Sequence, residues 1–198
     1  MSEFRRRLLM QSKSELPSAY QQVEYIESTG TQQISLNYIL QENDEINLRF
    51  EFMGFFKTGD AYLFYLPGAN IWTAYNYRTN NPVRFFVRFG SSSSTSYTDF
   101  PEKGSLTLGK NKLIVNGVNY RITEYTAISN SRFYLFGIYP DFSKYKLFYF
   151  FVEENGTKKL HLIPCYRKSD GEIGLYDIVN NIFYINNGTE EFLKGADI

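Results

Sequence analysis

The chain has 198 residues, room for one ordinary domain with a full hydrophobic core. An apolar share of 43% argues for a folded chain, and 18 Phe and 17 Tyr lean toward pleated, half-buried surfaces. Equal numbers of basic and acidic residues, 21 each, argue against a nucleic-acid backbone as the main partner, and one cysteine and one histidine exclude an internal disulfide, a Cys-based zinc site and a two-histidine motif.

Residues 1–15 form a basic lead, with Arg5, Arg6 and Arg7 ahead of Leu8, Leu9 and Met10. That apolar run is shorter than the roughly 7–15 residues of a secretory core, and no window nears the roughly 18 apolar residues of a membrane span. The lead reads as a flexible arm or a short helix suited to docking, on a chain made in the cytoplasm without a signal peptide. Pro17 ends any helix. Residues 16–198 read as one domain.

From Tyr20 the pattern has period two. Thr29-Gly30 supplies a turn between two short strands, and Ile46, Leu48, Phe50 and Phe52 alternate with Asn47, Arg49 and Glu51. Residues 61–66, AYLFYL, are apolar on both faces, as in a covered central strand. Ile71, Thr73, Tyr75 and Tyr77 alternate with Trp72, Ala74, Asn76 and Arg78; Val83, Phe85, Val87 and Phe89 alternate with Arg84, Phe86 and Arg88. TNNP at 79–82 and GSSSSTS at 90–96 break these strands. Asn116-Gly117 is a strong hairpin signal, since a type I′ turn needs positive φ at both central residues, and Glu154-Asn155-Gly156 marks a second hairpin. The Asn-Gly-Thr triplets at 155 and 187 match a glycosylation acceptor by letter and read as turns. Many short strands with no helical period predict an all-β, antiparallel β-sandwich, with a barrel as the alternative.

The segment 161–177, HLIPCYRKSDGEIGLYD, gathers the single His161, the single Cys165 and three acids, Asp170, Glu172 and Asp177. A retaining glycosidase needs two carboxyl groups about 5–5.5 Å apart. Asp170 and Glu172 have a same-face spacing, but Gly171 between them marks a tight turn. His161 reads as a half-buried strand residue and Cys165 as a small buried one. No catalytic residue is assigned, and the expectation is a protein that is not an enzyme.

LPSAYQQVEYIESTGTQQI at the start and LIPCYRKSDGEIGLYDIVNNIFYINNGTEEFLKG at the end resemble a group of bacterial and prophage proteins with a laminin-G-like, concanavalin A-like jelly roll. The likeness lies in Leu16-Pro17, Tyr20, Val23 to Gln32 and Ile163 to Asn181, and departs at Gln33 and at Glu190-Glu191. It implies that the first and last strands pair, so that VEYIES neighbours the GLYD…NNIFY hairpin, with Asp177 accepting backbone N–H bonds in the Asn180-Asn181 turn. It also implies a phage structural or surface-associated setting, with virion association as the location and other virion proteins as partners through the arm.

A lectin-like sandwich binds sugars through exposed aromatic faces beside Asn, Asp and Arg. The residues of that kind are Trp72, Tyr75, Asn76, Tyr77, Arg78, Arg84 and Arg88, a stacking platform with guanidinium forks suited to a glycan or cell-surface polysaccharide. The competing reading puts Trp72 in the core and the arginines on a solvated face. Glu42-Asn43-Asp44-Glu45 is the segment that would serve calcium, which needs converging carboxylates, and it reads equally as a solvated loop; no cofactor is assigned. The expected function is a non-catalytic, carbohydrate-binding recognition module. The alternatives are a structural virion or assembly protein without ligand, and, weakest, a glycoside hydrolase.

Overall fold

The computed structural model describes residues 15–55, 59–66, 71–77, 84–88, 95–97, 101–121, 132–138 and 141–198. Residues 1–14 of the basic arm and Arg78 lie outside them. Every strand pairing in them is antiparallel, and the strands form one large and one small sheet. The large, twelve-stranded sheet has a spine in the order β11 (Val118–Tyr120), β10 (Lys112–Val115), β9 (Lys103–Gly109), β4 (Asp44–Phe55), β14 (Asp141–Glu154), β15 (Thr157–Arg167), β16 (Ile173–Asp177) and β17 (Ile182–Ile185). Short strands β1 (Tyr20–Gln22), β2 (Ile26–Glu27), β13 (Gly137–Ile138) and β18 (Leu193–Lys194) attach to it. The six-stranded sheet runs β3 (Ile34–Leu36), β12 (Phe133–Leu135), β5 (Gly59–Leu66), β6 (Ile71–Tyr77), β7 (Arg84–Arg88) and β8 (Thr95–Tyr97).

Alternation decides which residues meet between the sheets. Ile46, Leu48 and Phe50 of β4 and Leu147, Phe150 and Val152 of β14 are fully buried, and from the small sheet Ile34, Leu36, Phe64, Phe133 and Leu135 join the same core. The Phe133 ring stands 5.3 Å from both Phe64 within its own sheet and Phe150 across the core, the latter edge-on. This face-to-face packing is consistent with a β-sandwich.

Both Asn-Gly hairpins form with the expected backbone. Asn116 and Gly117 have φ of 50° and 80°, and Asn155 and Gly156 have 50° and 77°. The β16–β17 hairpin also forms as expected, with Asp177 opposite Ile182 and Asn181 at a φ of 58°. One expected neighbourhood is different. β2 pairs with β14 and β18, Val23 bridges Asp197, and β1 lies along the end of β15, with Tyr20 opposite Arg167. The opening and closing strands do pair, β2 with β18, but the β16–β17 hairpin is not their strand partner, because β15 stands between β1 and β16. The Tyr20 ring reaches the hairpin, 4.6 Å from Tyr176 and 5.0 Å from Phe183.

The central strand β5 breaks its alternation at Leu63, where the register to β6 shifts between Tyr62 and Phe64. Leu63 and Phe64 are both buried as a result. The bulge is held from the opposite sheet: Ser143 Oγ donates to the Tyr62 carbonyl, and the buried Tyr145 hydroxyl donates to the Leu63 carbonyl at 2.6 Å. A bulge re-aims the side chains beyond it. Tyr62 and Tyr65, three apart, therefore share one face, and their rings stand 4.9 Å apart.

Candidate functional site

The crowded segment 161–177 is held by the fold residue by residue. Asp177, fully buried, accepts from the backbone N–H of His161 at 3.1 Å and of Val179 at 3.0 Å, and from Asn180 Nδ2 at 2.6 Å. Asp170 takes the Arg167 guanidinium through two nitrogens at 2.7–3.1 Å, and that charge-assisted pairing holds its carboxyl below the usual range. Gly171, at φ 79°, closes the turn by donating its N–H to the Arg167 carbonyl. His161 is half-buried, edge-on to Phe151 with Lys158 Nζ 3.2 Å from its Nδ1; burial and then that ammonium lower its pKa. Cys165 is buried, which pushes its thiol up to about 12, far from a reactive thiolate. Beside the turn, a cleft of about 640 Å³ carries Glu172, Glu190 and Glu191 together with Asp170.

The STGTQ stretch also has a structural occupation. Gln32 is fully buried, and its Oε1 accepts from three successive backbone N–H groups, those of Thr29, Gly30 and Thr31, at 2.9–3.2 Å. Its Nε2 donates to the Glu191 carbonyl at 2.7 Å and ties the loop to the end of the chain. Such a row of N–H groups is a ready anion cradle; here the protein fills it with its own amide.

The Glu42–Glu45 segment does not leave its acids converging. Glu42 pairs with Lys110, and Glu45 pairs with Lys112 at 2.7 Å. Asp44, 1% exposed, accepts from the Tyr38 hydroxyl at 2.8 Å and the Gln41 N–H at 2.7 Å through Oδ2, while its Oδ1 has no partner. Among the described residues, no three His, Cys, Asp or Glu side chains gather as a metal site.

The sequence-derived platform falls on β6 and β7, and backbone register sorts its members. Trp72 stands opposite Arg88, and Asn76 opposite Arg84. Tyr75 stands in another row, between buried Ala61 of β5 and buried Phe85 of β7; Tyr77 is opposite Gly59. Extending the Trp72 row across the sheet gives Ser35, Tyr134, Tyr65, Trp72 and Arg88 on β3, β12, β5, β6 and β7. The adjoining row is Tyr62, Ala74, Phe86 and Ser96. Residues directly opposite in a sheet share a face. Tyr134, Tyr65, Tyr62 and Phe86 are half-buried, in contrast to the fully buried Phe64, Phe133 and Leu135 of the other face. The tyrosines Tyr62, Tyr65 and Tyr134 escape a strand-by-strand reading, because only pairing between strands far apart in the chain lines them up with Trp72.

At the β3 end of this row lies a cavity of about 270 Å³ whose lining includes Ser35, Asn37, Arg132, Tyr184 and Asn187. Arg132 is two residues before Tyr134, so alternation puts it on Tyr134's face. It is exposed, and among the described residues no hydrogen bond or ion pair reaches its guanidinium. Tyr184 is hydrogen-bonded to the Asn37 backbone. Among the described residues no helix is long and apolar enough to cross a membrane. No protein-family model matches the chain, and no curated protein is similar to it.

Proposed function

We propose that the chain is a non-catalytic recognition module that binds carbohydrate on the outward face of its six-stranded sheet. The observation that carries this reading is the cross-strand row Tyr134, Tyr65, Trp72 and Arg88, with Tyr62 and Phe86 beside it. Neighbouring strands lie about 4.8 Å apart, so four positions span roughly 14 Å, a track for a short oligosaccharide. Aromatic faces take the apolar side of a sugar ring, and phenol, amide and guanidinium groups at the edges take its hydroxyls. Asn76 and Arg84, opposite each other in register four residues along from Trp72 and Arg88, extend the same track.

The two-sheet architecture and the likeness of both chain ends support a concanavalin A-like jelly roll of phage or prophage origin for this module. The fold's own use of Asp170, Asp177, His161 and Cys165 supports recognition over hydrolysis.

The test is a glycan-array screen that includes bacterial cell-wall polysaccharides. Wild type is compared with Tyr65→Ala and with the Trp72→Ala, Arg88→Ala double variant. Binding weakened at least about tenfold, roughly 1.4 kcal/mol, in both variants with melting temperature kept would support the platform. No binding by wild type across the array would refute it and favour a structural assembly role.

A further inference from the structure

We infer that the glycan taken by this surface is anionic, a saccharide whose carboxylate or phosphate enters the cavity at the β3 end of the aromatic row and is held by Arg132. The inference rests on the carbohydrate reading above and names its ligand class.

Among the described residues Lys103, Lys110, Lys112 and Arg167 each stand within 4.0 Å of a carboxylate, while Arg49, Lys144, Lys158, Lys168 and Arg132 do not, and of these five Arg132 lines the cavity. Among the described residues Arg132 has no such partner, and those that line its cavity include no acid. A cation in a concave place, with no counter-charge among the described residues, favours an anion. The surrounding groups suit an anion held by a sugar: the Ser35 hydroxyl and the Asn37 and Asn187 side chains offer neutral hydrogen-bonding groups, while Ile182 and Ile185 close the cavity with apolar surface.

Geometry joins the cavity to the row. Ser35 belongs to both, since it stands opposite Tyr134 and also lines the cavity. Arg132 lies two residues from Tyr134, about 6.6 Å along the strand. A sugar ring resting on Tyr134 thus has its substituents within reach of the guanidinium. The planar fork of an arginine matches a carboxylate or a phosphate through two parallel N–H bonds, which a lysine cannot supply.

The experiment uses the full chain and calorimetric titration at low salt. The probes are oligogalacturonate, its methyl ester, which keeps the rings and removes the charge, a polyol-phosphate polymer, and the best neutral glycan from the array. Wild type is expected to bind the uronate or the phosphate polymer at least about tenfold more tightly than the ester. Arg132→Gln should erase that preference without lowering the melting temperature, and Arg132→Lys should restore only part of it. Whichever charged probe binds more tightly identifies the source of the anion. Equal binding of charged and neutral probes, or a preference that survives Arg132→Gln, would overturn the inference and leave the carbohydrate reading standing. Wild type that binds none of the four would bring down both.

Discussion

Removing one oxygen, by Tyr145→Phe, tests how the opposite sheet fixes the surface assigned to recognition. The Tyr145 hydroxyl donates to the Leu63 carbonyl at 2.6 Å and accepts from the Phe136 N–H at 3.2 Å, all of it buried. Burial pushes its phenol pKa up, so it remains a donor. Phe136 holds a left-handed φ of 68°, unusual for an aromatic residue, and its ring stacks on Tyr145 at 4.4 Å. The phenylalanine keeps that stacking and loses only the hydroxyl. Two buried backbone groups would then lack their better partner, at about 1–3 kcal/mol each. They are 3.4 Å from one another, so each satisfies the other in part. The expected loss is accordingly about 1–2 kcal/mol, read by urea unfolding with an unchanged slope. Because Leu63 is the bulged residue that brings Tyr62 and Tyr65 to one face, glycan affinity should fall as well. A loss below about 0.5 kcal/mol would mean that Leu63 and Phe136 close on each other and that the hydroxyl clamps nothing.

Two further expectations concern the fold's polar economy. Asp44 is buried with Oδ1 unpartnered, and burial raises its carboxyl pKa. A raised acid pKa means that the folded state holds the proton more tightly, so stability is fullest below the unfolded value near pH 3.9 and declines as pH climbs through the folded one. Asp44→Asn should therefore be the more stable protein near neutral pH, with the gap closing by about pH 3; a gap that persists in acid, in thermal melts across pH, would refute the burial argument. At the two Asn-Gly turns, Asn155→Ala should cost about 1 kcal/mol through its positive φ alone. Asn116→Ala should cost more, because Asn116 Oδ1 also accepts the Ser105 N–H at 2.9 Å, and equal losses in parallel denaturant titrations would show that this side-chain bond contributes nothing.

What the sequence made legible were the features encoded within a few residues. The alternation of Ile46, Leu48 and Phe50, the Asn-Gly turns and the burial of Cys165 follow from local pattern, the role of Asp177 from the resemblance of the closing segment, and the structure bears them out. Features that depend on distant pairing were not legible. The run AYLFYL gives no sign of a bulge at Leu63, because every residue in it is apolar or aromatic, so the shared face of Tyr62 and Tyr65 stayed hidden. The pairing of Tyr134 with Tyr65 joins strands about seventy residues apart, and no spacing rule predicts that register. The opening and closing strands pair, as the resemblance implies, but VEYIES carries no sign of which late segment it meets, and its partner at the end of the chain is β18 and not the GLYD…NNIFY hairpin.

A density of chemically able residues is a poor guide to where a protein acts when the fold itself consumes them. Between His161 and Asp177, four distinctive side chains have partners that explain them: Asp177 closes a hairpin, Asp170 holds Arg167, His161 lies against Phe151, and Cys165 packs with Leu16 and Tyr176. The STGTQ loop shows the same economy, since an amide oxygen occupies the cradle that a ligand anion would need. The better guide is what folding leaves without a structural task. By that measure the half-buried row through Tyr134 and Tyr65, beside an Arg132 guanidinium that has no ion-pair partner among the described residues, is the surface we propose for recognition. Strand pairing assembles that row from five segments of the chain, each unremarkable alone, so a surface of this kind is encoded in the register of the sheet more than in any motif.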